Sequence, residues 1–366
     1  MTNLLGKSLG VRFIDRILFC AFLALMMGWG SVDAGPKPAA SDSAQITRIY
    51  VGNSGDTTVS VIDHDSREVV KTIDIGAKHH GSVPSHRGDR IYLTTEDTGE
   101  VIAVNTLTNE ILWRVKAGGT LHEPSITHDD LFVFAPDFRG GRLAIVDTRL
   151  GKLVDEVKMI DPETGENFDA LHNTYEMADG LHMLSMSIRG EAMVKVNMHT
   201  RDIVRIYRIN GQPRPAVIMQ DMSTIFVQLS ELNGYIVVDL NTGQQLKRIE
   251  WPFQGELPEG VPEWTPSHGI GLTQDESELW TASSFTSQLY VYSVPGLEKL
   301  AVVDVGVLPN WMAFSNDGTI LYATSQEPSK KQGSVAVIDI ASRKVLKFIK
   351  TGSRPKRIHL VDLPSS

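Results

Sequence analysis

Residues 268–306 read HGIGLTQDESELWTASSFTSQLYVYSVPGLEKLAVVDVG, and their punctuation decides the fold. HGIGLT runs into the turn QDES; ELWTAS and QLYVYS follow; the turn VPGLE then leads to KLAVVDVG. Each segment has the length and residue types of a short strand, and turn-forming residues separate them. The stretch is therefore a four-stranded antiparallel unit.

Moving outward, the same unit recurs along the chain. One strand family carries an aromatic: Tyr50, Tyr92, Phe132, Phe226, Trp280 and Tyr322, with His182 in the fourth copy. A second family ends in a small polar residue at Asp63, Asn105, Asp147, Asn197, Asp239, Ser293 and Asp339. Such a side chain bonds the backbone two residues on and opens a turn. A third family runs from EVVKTIDIG, ending at Gly76, to KVLKFIKTG, ending at Gly352. Seven copies at spacings of 40–54 residues predict seven blades. One blade cannot bury both of its faces, whereas a closed ring of blades buries them and removes exposed edges. No stretch from Ile46 onward carries a helical apolar period, which excludes a parallel α/β fold with its crossover helices. The expectation is an all-β, seven-bladed β-propeller of four-stranded antiparallel blades over 46–363. The unpaired C-terminal copy RIHLVDL (357–363) completes the first blade and closes the ring.

Bulk properties bound the rest. Lys7, Arg12 and Arg16 precede an apolar run at 17–29, and small residues follow, so 1–34 reads as a signal peptide. The run is shorter than the roughly 20 residues a membrane span needs, so no stable membrane insertion is expected after cleavage. Residues 35–45 (GPKPAASDSAQ) read as a flexible leader. The expected location is periplasmic or secreted. Without 1–34 the chain loses three of 35 basic and two of 44 acidic residues, leaving a net charge of −10. No nucleic acid partner is expected of such a surface. The single cysteine, Cys20, lies in the expected signal peptide, so the mature chain has no disulfide, thiolate nucleophile or c-type haem attachment. The chain also has no G-x-S-x-G elbow, and no phosphate-binding glycine loop leads from a strand into a helix.

Chemistry concentrates at one position of the repeat. Counting back from the aromatic strand, His80, Arg214, His268 and Asn310 each lie 12 residues ahead of it. His122 and His172 lie 10 ahead, and Lys356 follows Pro355 as Asn310 follows Pro309. In ring order the channel mouth reads Lys356, His80, His122, His172, Arg214, His268, Asn310, which takes in four of the 11 histidines. Three readings stay open. His80, His122, His172 and His268 could hold a transition metal such as copper, iron or zinc, because neutral imidazole suits these ions. Arg214, Lys356 and Asn310 could instead hold a cofactor or a small anionic ligand. Or the strand starts are polar because the channel is wet. Insertions at 160–171 and 252–267 enter the strands bearing His172 and His268. They are expected at the mouth, where Glu166, Asp169, Glu256 and Trp264 could add contacts. Glu123 and Trp311 read as packing or supporting groups, and Glu176 as strand or turn.

IYVGNSGDTTVSVIDHDSREVVKTIDIG (49–76) resembles a unit of the YVTN family of β-propeller repeats, and the other copies follow it across most of 46–363. Family members serve as surface proteins, redox enzymes and binding scaffolds. The likeness extends distantly to propellers that bind d1-type haem, where a channel histidine ligates iron and basic residues meet propionates. A haem-like group is thus an implied cofactor. The function expected is an exported binding protein holding a metal or haem-like group at the histidine-rich mouth. The alternative is an inert scaffold presenting rim loops to a protein partner, and a third reading is a lactonase- or oxidase-like enzyme.

Overall fold

The computed structural model describes residues 45–364, so the expected signal peptide at 1–34 and nearly all of the expected leader at 35–45 lie outside the described residues. The described chain forms 28 strands in seven four-stranded sheets, with no helix among them. Each sheet is an antiparallel meander, innermost strand first. The second blade, for example, runs His79–Pro84, Arg90–Thr95, Glu100–Asn105 and Ile111–Lys116. The first blade takes its innermost strand from the C-terminus. Pro355–Asp362 pairs antiparallel with Thr47–Asn53, from Thr47 opposite Asp362 to Asn53 opposite Pro355. The innermost strands neighbour one another all the way round, so the ring is closed.

Period-two alternation explains why the strands are apolar on both faces. Tyr50 packs with Ile91 and Leu93 between the first and second blades. Its neighbours Ile49 and Val51 pack with Tyr322 and Val335 between the first and seventh. Seven such clusters occur, one for each blade interface, and together they form a belt with no single centre. The turns behave as the residue types require. Asp63, Asn105, Asp147, Asn197, Asp239 and Asp339 each accept backbone N–H groups two or three residues on.

Strand pairing corrects the aromatic family in two blades. Ser82 faces Leu93 and Val83 faces Tyr92, while Ser125 faces Phe134 and Ile126 faces Val133. The third-blade counterpart of Tyr92 is thus Phe134, buried in the core, and not Phe132. By the same register the fourth-blade counterpart is Leu184, and His182 instead pairs with Asp179 near the surface. The spacing from ring residue to core residue is therefore uniform in the blades compared, and the ring assignment stands.

Candidate functional site

The innermost strands share a defect at one place. His79 pairs with Thr95 but Ser82 with Leu93, a one-residue bulge that takes in His80. The same shift recurs at His172, Arg214, His268, Asn310 and Lys356, and between Leu121 and Ser125 around His122. A bulge breaks strict alternation and re-aims the extra residue, so each ring side chain turns toward the axis. Backbone groups freed by the bulge are met from the neighbouring strand. Thr94 Oγ1 accepts from Gly81 N and donates to the His122 carbonyl at 2.7 Å. Thr324 and Gln228 serve the seventh and sixth blades in the same way. Glycine after the ring residue lets adjacent strands touch: Gly269 has φ +113°, and a Cβ there would lie 1.6 Å from the Asn310 carbonyl oxygen.

All seven sequence-derived positions come to one end of the channel. Lys78, His80, His122, Arg214, Asn310 and Lys356 are among the lining of a cavity of about 800 Å³. Three histidines crowd together. The ring centroids of His80 and His122 are 3.5 Å apart, those of His122 and His172 5.1 Å, and those of His80 and His172 5.7 Å. His268 stands edge-on to His172 at 5.7 Å and to Trp311 at 5.2 Å, outside the tightest group. Phe138, which the sequence reading passed over, stacks on His122 at 4.2 Å. Arg214 donates to Ser230 at 2.7 Å and lies over the Trp264 ring at 5.3 Å. Lys356 Nζ lies 2.7 Å from His80 Nε2, and the buried Asn310 leaves its Oδ1 without a partner.

Glu123 changes the chemistry of this group. A parallel bridge ties Glu123 to Asn173, with Glu123 N bonded to the His172 carbonyl and Thr174 N to the Glu123 carbonyl, both at 3.1 Å. This pins the third blade to the fourth and brings His122, Glu123 and His172 side by side. One donor atom from each of His80, His122, Glu123 and His172 lies within 4.8 Å of the others. Both Glu123 carboxylate oxygens are buried without a hydrogen-bond partner, the closer His80 nitrogen standing 3.7 Å away. Burial pushes its carboxyl up to about 7, although Lys356 and Arg357 pull the other way. Burial, reinforced by neighbouring positive groups, holds His80, His122, His172 and His268 well below the ordinary histidine range. Burial also lowers Lys356, and it brings Arg214 down to about 10. At neutral pH the four imidazoles are therefore uncharged and carry lone pairs.

A family model described as outer membrane protein assembly factor BamB matches residues 29–249. The chain belongs to this family. No curated protein sequence matches it. Among solved structures it is similar to the dihydro-haem d1 dehydrogenase NirN in complex with DHE, at 16% identity and TM-score 0.65, covering 85% of this chain and 74% of that one. It is also similar to a functionally unknown protein from Desulfotomaculum acetoxidans, at 12% identity and TM-score 0.68, covering 87% and 100%. Hydrazine synthase from Kuenenia stuttgartiensis follows at 13% identity and TM-score 0.65, covering 80% and 92%. Identities this low show a shared propeller fold.

The two insertions of this BamB-family propeller divide in role. Residues 252–266 reach the cavity, where Gly260, Pro262, Trp264 and Thr265 line it. The segment 160–170 does not, among the described residues, contribute to that lining. It folds back through an Ile160–Asn167 bridge, buries Phe168 between the third and fourth blades, and pairs Asp161 and Glu166 with Arg208. Asp169 pairs with Arg189 away from the mouth. The expectation of mouth contacts from Glu166 and Asp169 is therefore corrected. An apolar residue in that insertion, Phe168, was captured by the blade interface. His79 is buried and turned away from the ring, against Gly52, as neighbouring strand positions require. No helix among the described residues is long and apolar enough to cross a membrane.

Proposed function

We propose that this is an exported β-propeller binding protein that holds one divalent transition-metal ion at its channel mouth through His80, His122, His172 and Glu123. The observation that carries the reading is Glu123, a buried carboxylate with no hydrogen-bond partner beside three neutral imidazoles. Leaving a buried carboxylate unpaired costs several kcal/mol, and a cation among these donors removes that cost. A four-coordinate ion with bonds of about 2.0–2.2 Å needs donors roughly 3.3–3.6 Å apart, so contraction of the cluster by about an ångström seats it. Three imidazoles and a carboxylate suit zinc, copper or iron.

A haem-like group fits less well. The histidines stand edge to face at 3.5–5.7 Å, which leaves no slot between them for a planar macrocycle. Such a group would have to lie above them, in the cavity. The cavity's own chemistry favours a small anionic ligand approaching the metal, because Lys78, Arg214, Arg354 and Lys356 line it. His268 and Asn310 face the same space and supply polar contacts to that ligand. Export is supported by the N-terminal sequence pattern and by the family's description as an outer membrane protein assembly factor. Seven strand-loop units with the YVTN cadence support membership of that repeat type as well.

A second reading, a scaffold for a protein partner, is favoured by the same family description and by Trp264, 64% exposed on the rim insertion. Purifying residues 35–366 without chelator or affinity histidines and measuring bound metal separates the two. Near-stoichiometric metal that His122→Ala abolishes supports the centre. A metal-free, colourless protein that takes up neither copper, iron nor zinc overturns it and promotes the scaffold.

A further inference from the structure

The opposite end of the channel carries a second histidine group. His86 and His128 lie six residues beyond His80 and His122, which is roughly 20 Å along an extended strand. Both sit in the turns that leave the innermost strands of the second and third blades, and Glu176 ends the innermost strand of the fourth. Donor atoms of His86, His128 and Glu176 all lie within 4.8 Å of one another. The two imidazole rings are 5.0 Å apart.

The hydrogen bonding there leaves Glu176 Oε1 without a partner. His86 Nδ1 lies 2.9 Å from Asp130 Oδ1, so the ring donates from Nδ1 to that carboxylate. Asp130 is held firmly, accepting also from His86 N at 2.7 Å, Arg87 N at 3.2 Å and Arg87 Nε at 3.2 Å. A neutral His86 in this tautomer turns the lone pair of Nε2 toward Glu176 Oε2, 3.0 Å away. Two acceptors then face each other, which is repulsive. Protonating His86 would relieve that one contact. It would leave Glu176 Oε1, buried and without a hydrogen bond, facing His128 Nδ1 at 3.5 Å. One divalent cation satisfies all three donors at once. The Asp130–His86 pair has the form of a carboxylate that orients a metal-ligating histidine.

We infer that His86, His128 and Glu176 form a second cation site, for zinc or a similar divalent ion, on the face of the ring opposite the channel mouth. Three protein ligands leave a coordination position for water or an incoming group. His128 is 76% exposed, so the ion is reached from solvent and the site exchanges metal more readily than the buried group at the mouth. The site stands independently of the one proposed at the mouth, since it uses other residues at the other end of the channel.

The test is a zinc chloride titration of the full mature chain against a competing chromogenic chelator, with a zinc-edge anomalous map of soaked crystals. His86→Ala and His128→Ala remove partly exposed side chains and are expected to fold as the parent, with circular dichroism as the check. Each should weaken zinc binding at this site by at least about 100-fold, and Asp130→Asn, which keeps an acceptor for the backbone N–H groups, by about 10–100-fold. His122→Ala should leave this binding event intact, and the map should show one peak between the three donors. Zinc binding equal in the parent, His86→Ala and His128→Ala, with no peak at this place, overturns the inference. So does a peak that persists in His86→Ala.

Discussion

Glu123→Gln should make the metal-free protein more stable at neutral pH, and the size of the gain can be worked from burial. The wild-type carboxyl rises from an ordinary 4.5 to about 7 in the folded chain, chiefly through burial. The folded state therefore binds a proton that the unfolded state has already released between about pH 4.5 and 7. Stability from this group is full below that window and is lost as pH rises through it. A shift of roughly 2.5 units at 1.36 kcal/mol each is about 3 kcal/mol. The nearby histidines work in the opposite direction. Their folded pKa values are depressed, so they cost stability as pH falls below about 6.5, but they do so in both proteins and cancel in the difference. The assay is urea denaturation of wild type and Glu123→Gln in excess chelator, from pH 5 to pH 8. The stability difference should move in the variant's favour by about 2.5 kcal/mol across that range, whatever constant offset the amide introduces. A difference that stays flat with pH would show that Glu123 is neutralised by Lys356 and Arg357, and would remove the reason for placing a cation beside it. The same variant should bind metal more weakly, so stability and function pull apart at this residue.

Three further outcomes are expected. Lys356→Met should tighten metal binding by about tenfold or more in a chelator competition, because the ammonium 2.7 Å from His80 Nε2 must leave before an ion is ligated there; weaker binding would mean that Lys356 holds His80 in place. Deleting 353–366 removes the strand Pro355–Asp362 that completes the first blade; thermal denaturation should lose its cooperativity, and an unchanged melt would refute closure by that strand. Gly269→Ala should destabilise the fold by about 2 kcal/mol or more, from its φ of +113° and the contact with the Asn310 carbonyl; Gly119→Ala, where a Cβ meets nothing closer than 3.6 Å, is the control and should melt like the parent.

Much of the site was legible because the repeat is. His80, Arg214, His268 and Asn310 fall at one spacing from a core aromatic, and pairing restores the same spacing to His122 and His172 once Phe134 and Leu184 replace Phe132 and His182. The miscount arose where an aromatic or aromatic-like residue stood two positions early, on the same face of the strand. Glu123 was read as a packing group because strict alternation turns a residue next to a ring position away from the channel. The bulge between Leu121 and Ser125 breaks that alternation, and no residue type marks it. Glu176 reads as strand or turn, and it does end a strand; its contact with His86 and His128 is made only across blades, where local pattern carries no signal.

The amino-acid sequence by itself determined the number of blades, their closure and the seven polar positions at the mouth. These follow from short-range periodicity and turn chemistry, repeated often enough to be counted. The tertiary structure alone decided which of those seven converge. It set His80, His122 and His172 around Glu123, left His268 outside that group, took the 160–170 insertion into a blade interface, and brought His86, His128 and Glu176 together at the far end. Those choices depend on distances across the ring between residues some 40–90 positions apart, set by how blades pack and where a strand bulges, and local pattern carries no record of either.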